Sequence, residues 1–127
     1  MVKKIDVEGK KLIIVSSNGT CIKSFNQEIA ETIIHDNKIF VKLKLVQGDK
    51  ENRNIFCLNE KGEVLWRVQD PDDYWSQITK KTIKAHARFT GIAIKNKEDV
   101  ITAYNCDSHI YNIDLETGKI LSAKWTK

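Results

Sequence analysis

The sequence predicts a mainly β fold, a single domain over residues 1–127 built from antiparallel meanders. Three observations carry that expectation. Apolar and polar residues alternate along most of the chain, which is the period of a strand with one wet face. One strand–turn–strand phrase is written twice: Asn54-Ile-Phe-Cys-Leu-Asn-Glu-Lys-Gly-Glu-Val-Leu65 is echoed by His109-Ile-Tyr-Asn-Ile-Asp-Leu-Glu-Thr-Gly-Lys-Ile-Leu121, and more faintly by Leu12-Ile-Ile-Val-Ser-Ser-Asn-Gly-Thr-Cys-Ile22. Proline occurs once, at Pro71, and glycine six times, so no Pro/Gly/Ser linker divides the chain.

Residues 2–7 alternate as a first strand, and Glu8-Gly9-Lys10 turns the chain into 11–16. Asn18-Gly19, a strong hairpin signal, turns it again into 20–25. Residues 29–34 read as a strand because Thr32, Ile33 and Ile34 are β-branched, although Gln27-Glu28-Ile29-Ala30-Glu31 would tolerate a helical turn. In 39–46, Ile39, Val41, Leu43 and Leu45 alternate with Phe40, Lys42 and Lys44, which predicts a half-buried strand. After a polar connection, 54–58 and 64–68 form the first full repeat hairpin. The final meander comprises 89–95, 100–104, 109–113 and 119–125.

The repeat units are thus a partial one over 1–25 and four-stranded ones over 29–68 and 89–125. Segment 69–88 is an insertion between them, a surface loop with room for a short helix. Four-stranded units at a period of about 40–50 residues are blade-like, whereas a closed propeller needs at least about four blades. The expected architecture is therefore a partly open, sandwich-like or incomplete-propeller domain.

Composition limits the function classes. With 41% hydrophobic and 30% charged residues the chain suits one buried core. The start alternates polar and apolar residues where a secretory leader needs an apolar run, and no stretch approaches the roughly 20 apolar residues of a membrane span. Cys21, Cys57 and Cys106 are odd in number and lack Cys-x-x-Cys spacing, which argues for free thiols in a cytosolic setting. His35, His86 and His109 are scattered, so neither a metal nor another cofactor is expected. The 21 basic against 17 acidic side chains give +4, a mild excess.

The repeated turn reads as scaffold. Asp114 and Thr117 can bond turn amides while Gly118 supplies a positive φ, and Asn59 with Gly62 repeats the device. Cys106, Asp107 and His109 could be drawn as thiol, orienter and base, but alternation puts 106 on the face opposite 107 and 109. The chain is accordingly not expected to be an enzyme. Lys80, Lys81, Lys84, His86 and Arg88 near Trp75 form a basic stretch of the kind that tracks phosphates. Ile83, Ala85, Ala87 and Phe89 alternate with those cations, so the stretch also reads as the wet face of a strand. Asp70-Pro71-Asp72-Asp73-Tyr74-Trp75 combines carboxylates with aromatic anchors, as interface hot spots do, and reads equally as a solvated turn with Tyr74 tucked onto the core.

Asn54-Ile-Phe-Cys-Leu-Asn-Glu-Lys-Gly-Glu-Val-Leu-Trp66 resembles the blade repeat of quinoprotein-type propellers. A second resemblance covers the C-terminal two-thirds. Leu65-Trp66, Asp70-Pro71, Phe89-Thr90-Gly91-Ile92, Ala103-Tyr104-Asn105, Tyr111-x-Ile113-Asp114, Thr117-Gly118-Lys119 and Trp125-Thr126-Lys127 are similar to small bacterial immunity proteins of polymorphic toxin and contact-dependent growth inhibition systems. The departures are the basic insertion up to Arg88 and Cys106-Asp107-Ser108. The resemblance implies a non-catalytic toxin inhibitor that occludes the active site or substrate groove of a cognate toxin domain, a nuclease by expectation. Asp70, Asp72, Asp73, Tyr74 and Trp75 are then the expected contact residues, with Tyr104, Asn105, Asp107 and His109 as a secondary patch. The alternative is a nucleic-acid-binding or scaffold domain using residues 80–88. If no thiol chemistry operates, Cys106→Ala leaves protection against the toxin unchanged in a growth assay, and its loss would restore the enzymatic reading.

Overall fold

The computed structural model describes residues 1–44, 53–80, 89–95, 100–105 and 109–125. It shows a mainly β fold of three antiparallel sheets. The first has the order β1(Val2–Glu8), β2(Lys11–Ser16), β3(Gly19–Ser24). The second runs β4(Ile29–His35), β5(Lys38–Leu43), β6(Ile55–Leu58), β7(Val64–Arg67). After α1(Pro71–Thr79) comes the third, β8(Phe89–Lys95), β9(Val100–Asn105), β10(His109–Asp114) and β11(Ile120–Trp125), with β8 and β11 at its edges. The two four-stranded meanders that the repeats predict are the second and third sheets. The chain divides into two compact units, Met1–Lys44 with Ile55–Trp66, and Leu45–Asn54 with Arg67–Lys127.

In the first unit the alternation becomes a core. Leu12 and Ile14 of β2 pack with Ile29, Ile39, Val41, Leu43 and Leu58, so one face of the first sheet covers one face of the second. The ambiguous segment at 29–35 is a strand, as its β-branched residues require. Strand β5 departs from expectation: Ile39, Phe40, Val41, Lys42 and Leu43 are all buried. It is a central strand with both faces covered, and the opposite face holds Phe40, 6.0 Å from the Trp66 ring. Lys42 lies there too, its ammonium 3.3 Å from Glu31 of its register partner strand. A buried cation needs such a partner.

The repeated turns are built alike. Asn59 Oδ1 accepts from the amides of Lys61 and Glu63 at 2.9 and 3.0 Å, and Asp114 Oδ1 accepts from the Glu116 amide at 2.8 Å. Gly62 and Gly118 take φ of 81° and 76°, a region that a side chain disfavours. In the second unit Asn54, buried, donates to the Phe89 carbonyl at 2.9 Å and accepts from its amide at 3.2 Å, so one carboxamide serves β8 as a neighbouring strand would.

Phe40→Ala should cost about 3–5 kcal/mol of stability in a denaturant titration, the range for a large-to-small change at a fully buried ring. Gly118→Ala should cost about 1–2 kcal/mol, because alanine must take up the left-handed conformation that the glycine holds at φ 76°.

Candidate functional site

Of the segment that breaks the repeat, residues 69–80 are described and hold helix α1, the short helix for which the sequence leaves room; residues 81–88 lie outside the described residues. Asp70 is its N-cap, with φ −62°, ψ 120° and a side chain accepting from the Asp72 amide at 2.8 Å. Pro71 fits the first turn, whose amide it does not need. Asp72 and Asp73 complement the positive end of the helix dipole, and Lys80 closes the helix with φ 60°. The Asp-Pro-Asp-Asp cluster is thus also a helix start signal.

Tyr74 and Trp75 tie the helix to the third sheet. The Trp75 indole N–H donates to the Tyr111 hydroxyl at 2.9 Å. Tyr74 meets Trp75 edge-on at 5.3 Å, Trp75 meets His109 at 5.2 Å, and Tyr111 meets Phe89 at 5.3 Å. Tyr111 is 1% exposed, so the cluster is rooted in the core of this unit.

The predicted contact residues are therefore distributed over several roles. Asp70 caps the helix and Asp72 is buried at 7% exposure, which leaves Asp73 as the exposed carboxylate of the three. Tyr74 and Trp75 are half-buried in the aromatic cluster, and His109 joins them there. Tyr104 lies on the opposite face of the third sheet, because it pairs with Ile110 while its neighbour Ala103 pairs with Tyr111. It is 42% exposed. The backbone of Asn105 pairs with Phe89. Asp107 and Cys106 lie outside the described residues, as does all of the basic stretch except Lys80.

Helix α1 also forms something the sequence reading did not name. Between α1 and the start of β11 runs a groove of about 480 Å³, lined by Tyr74, Gln77, Ile78, Lys119 and Leu121 together with Gln69 and Ile120. That volume lies in the range of about 300–1,000 Å³ found for ligand pockets. Ile78 is 60% exposed and Leu121 54%, so two large apolar side chains flank the groove in solvent. At its floor the Gln69 amide donates to the Gly118 carbonyl, and the Gln69 side-chain carbonyl accepts from the Ile120 amide, both at 2.9 Å. Recognising the helix would have placed Ile78 one turn after Tyr74, but Leu121 reaches the groove only through the tertiary fold.

Titration is perturbed elsewhere. A hydrogen bond from the Lys44 ammonium holds the Glu28 carboxyl below its usual range, and the chain's amino terminus does the same for Glu60. Among the described residues no three His, Cys, Asp or Glu side chains gather as a metal site. Nor is any described helix long and apolar enough to cross a membrane.

Two measurements check the anchoring. A double-mutant cycle of Trp75→Phe and Tyr111→Phe should give a coupling of about 1 kcal/mol, the net worth of one hydrogen bond. Asp70→Ala should cost about 1 kcal/mol through the lost cap, whereas Asp73→Ala should cost less than about 0.5 kcal/mol.

Comparison with known proteins bears on the fold. The β-propeller domain of Myceliophteria thermophila Cps50 (Swd1) is similar over 97% of this chain and 40% of its own, with a TM-score of 0.60 at 14% identity. BamB from Moraxella catarrhalis is similar over 96% of this chain and 34% of its own, with a TM-score of 0.56 at 17% identity. The computationally designed Ika8 protein is similar over 97% and 36%, with a TM-score of 0.55 at 11% identity. The chain therefore has propeller-like sheets and spans about a third of the length of these structures. No curated protein matches it. The family model of a domain of unknown function, DUF7957, matches residues 2–125, and the chain belongs to that family.

Proposed function

We propose that the chain is a non-catalytic immunity protein that binds a cognate toxin domain, a nuclease by preference, in the cytosol and blocks its active site. The resemblance of its C-terminal two-thirds to immunity proteins motivates the reading. The observation that carries it is the pair Ile78 and Leu121, exposed at 60% and 54% on either side of a groove beside the one helix among the described residues. Exposed apolar side chains bordering a concavity and rimmed by polar groups are what a partner's surface desolvates.

Inhibition by such a surface is occlusion. Helix α1 would lie against the toxin, Ile78 and Leu121 would give up water to it, and the bulk of the sheets would deny the substrate access. Of the N-cap carboxylate and the two in the first turn, Asp73 is the exposed one, so electrostatic mimicry of phosphate contributes less to this mechanism than apolar burial. Nucleic-acid binding through residues 80–88 is the competing reading. Phosphate contacts make affinity fall steeply with salt, while an apolar interface keeps its affinity.

The decisive experiment is co-expression with the C-terminal domain of the protein encoded immediately upstream. The reading predicts a toxic domain, rescued growth, and a complex whose Kd holds between 50 and 200 mM salt. Ile78→Asp and Leu121→Asp should each weaken binding by roughly 30-fold or more, the effect of losing an interface anchor. A harmless upstream domain, or unprotected cells despite soluble immunity protein, would refute it.

A further inference from the structure

The groove and the edge of the third sheet describe a partner more closely than apolar burial does. Strand β11 is at the sheet edge, so the side of its backbone facing away from β10 pairs with no strand among the described residues. One donor on that side is already taken, and by an instructive group: the Ile120 amide donates to the side-chain carbonyl of Gln69 at 2.9 Å. A carboxamide there substitutes for the peptide group of a neighbouring strand. Beyond it, Leu121, Ser122 and Lys124 are exposed. An unpaired edge of this kind is the template for an added strand.

The groove beside this edge has unspent chemistry. Tyr74, Gln77 and Lys119 are among the residues that line it, and the polar end of none of these side chains makes a hydrogen bond or ion pair among the described residues. Lys119 is the charged residue of the lining among the described residues, and Lys124 of β11 and Lys80 at the end of α1 are further exposed lysines. Ile78 and Leu121 form the apolar walls. Of the acids adjoining the lining residues in sequence, Asp114 accepts from the Glu116 amide in the turn, Asp70 accepts from the Asp72 amide as the helix cap, and Asp73 is exposed in the first turn of α1.

We infer that the partner docks as an extended segment that adds to the open edge of β11, placing an apolar side chain between Ile78 and Leu121 and a carboxylate against Lys119. Backbone pairing supplies affinity without sequence preference, and the groove with its ammonium selects an acidic–apolar segment. This inference rests on the groove being the contact surface proposed above, and it specifies what enters it.

The test uses the intact ¹⁵N-labelled chain and three synthetic hexapeptides at up to millimolar concentration. They are acetyl-Thr-Val-Leu-Asp-Val-Thr-amide, its counterpart with Lys for Asp, and the acidic peptide N-methylated on alternate amides. Saturable shifts confined to 77–80 and 119–124 are expected with the acidic peptide, at least tenfold tighter than with the basic one. N-methylation should abolish binding, and Lys119→Glu, on an exposed turn, should reverse the charge preference. No saturable shift, equal affinity for both charges, undiminished binding of the N-methylated peptide, or shifts elsewhere would each overturn it. Unprotected cells with the peptide preference intact would instead overturn the toxin reading alone.

Discussion

The hydrogen bond from the Trp75 indole to the Tyr111 hydroxyl, set inside an aromatic cluster, ties helix α1 to the third sheet, and the binding surface proposed for this protein depends on that attachment. The helix has nine residues, a length at which an isolated helix is marginal in water. Its cap at Asp70 and its favourable first-turn carboxylates contribute about 1 kcal/mol apiece at most. The remainder must come from packing. The Trp75 indole on the Tyr111 hydroxyl, with Tyr74, His109 and Phe89 meeting at ring distances of 5.2–6.5 Å, provides it. Without that cluster the groove has one wall.

The fold was largely legible because hairpins are local. Alternation and the Asn-Gly or Asp-x-x-x-Gly turns set each strand and its partner within a few residues, and sheets made of sequential hairpins need little else. Strand β5 shows where locality ends. Its period of two is real, yet Phe40 and Lys42 are buried along with Ile39 and Val41, because a central strand finds cover on both faces. Periodicity reports which residues share a face, and only the tertiary fold reports whether the other face is wet.

The candidate site was legible in position and not in detail. Reading the repeat correctly directed attention to the segment that breaks it, and α1 lies there. The individual assignments blurred because one residue type served three ends within four positions: Asp70 caps, Asp72 is buried and Asp73 faces solvent. Nothing in Asp-Pro-Asp-Asp separates these roles before the helix is recognised. Tyr104 and His109 looked like one patch in sequence, but they fall on opposite faces of the third sheet. The groove was hidden for a simpler reason. Ile78 and Leu121 come from α1 and β11, distant in sequence, and their meeting is a property of the packed unit.

The account's central claim is that α1 and the start of β11 together form the binding surface, with the rest of the sheets as scaffold. Amide hydrogen exchange on the free protein and on its complex with the neutralised toxin domain tests this most directly. The account predicts that protection gained on binding concentrates in residues 73–80 and 119–124. Protection confined to the first sheet, with α1 and β11 exchanging as in the free protein, would contradict it.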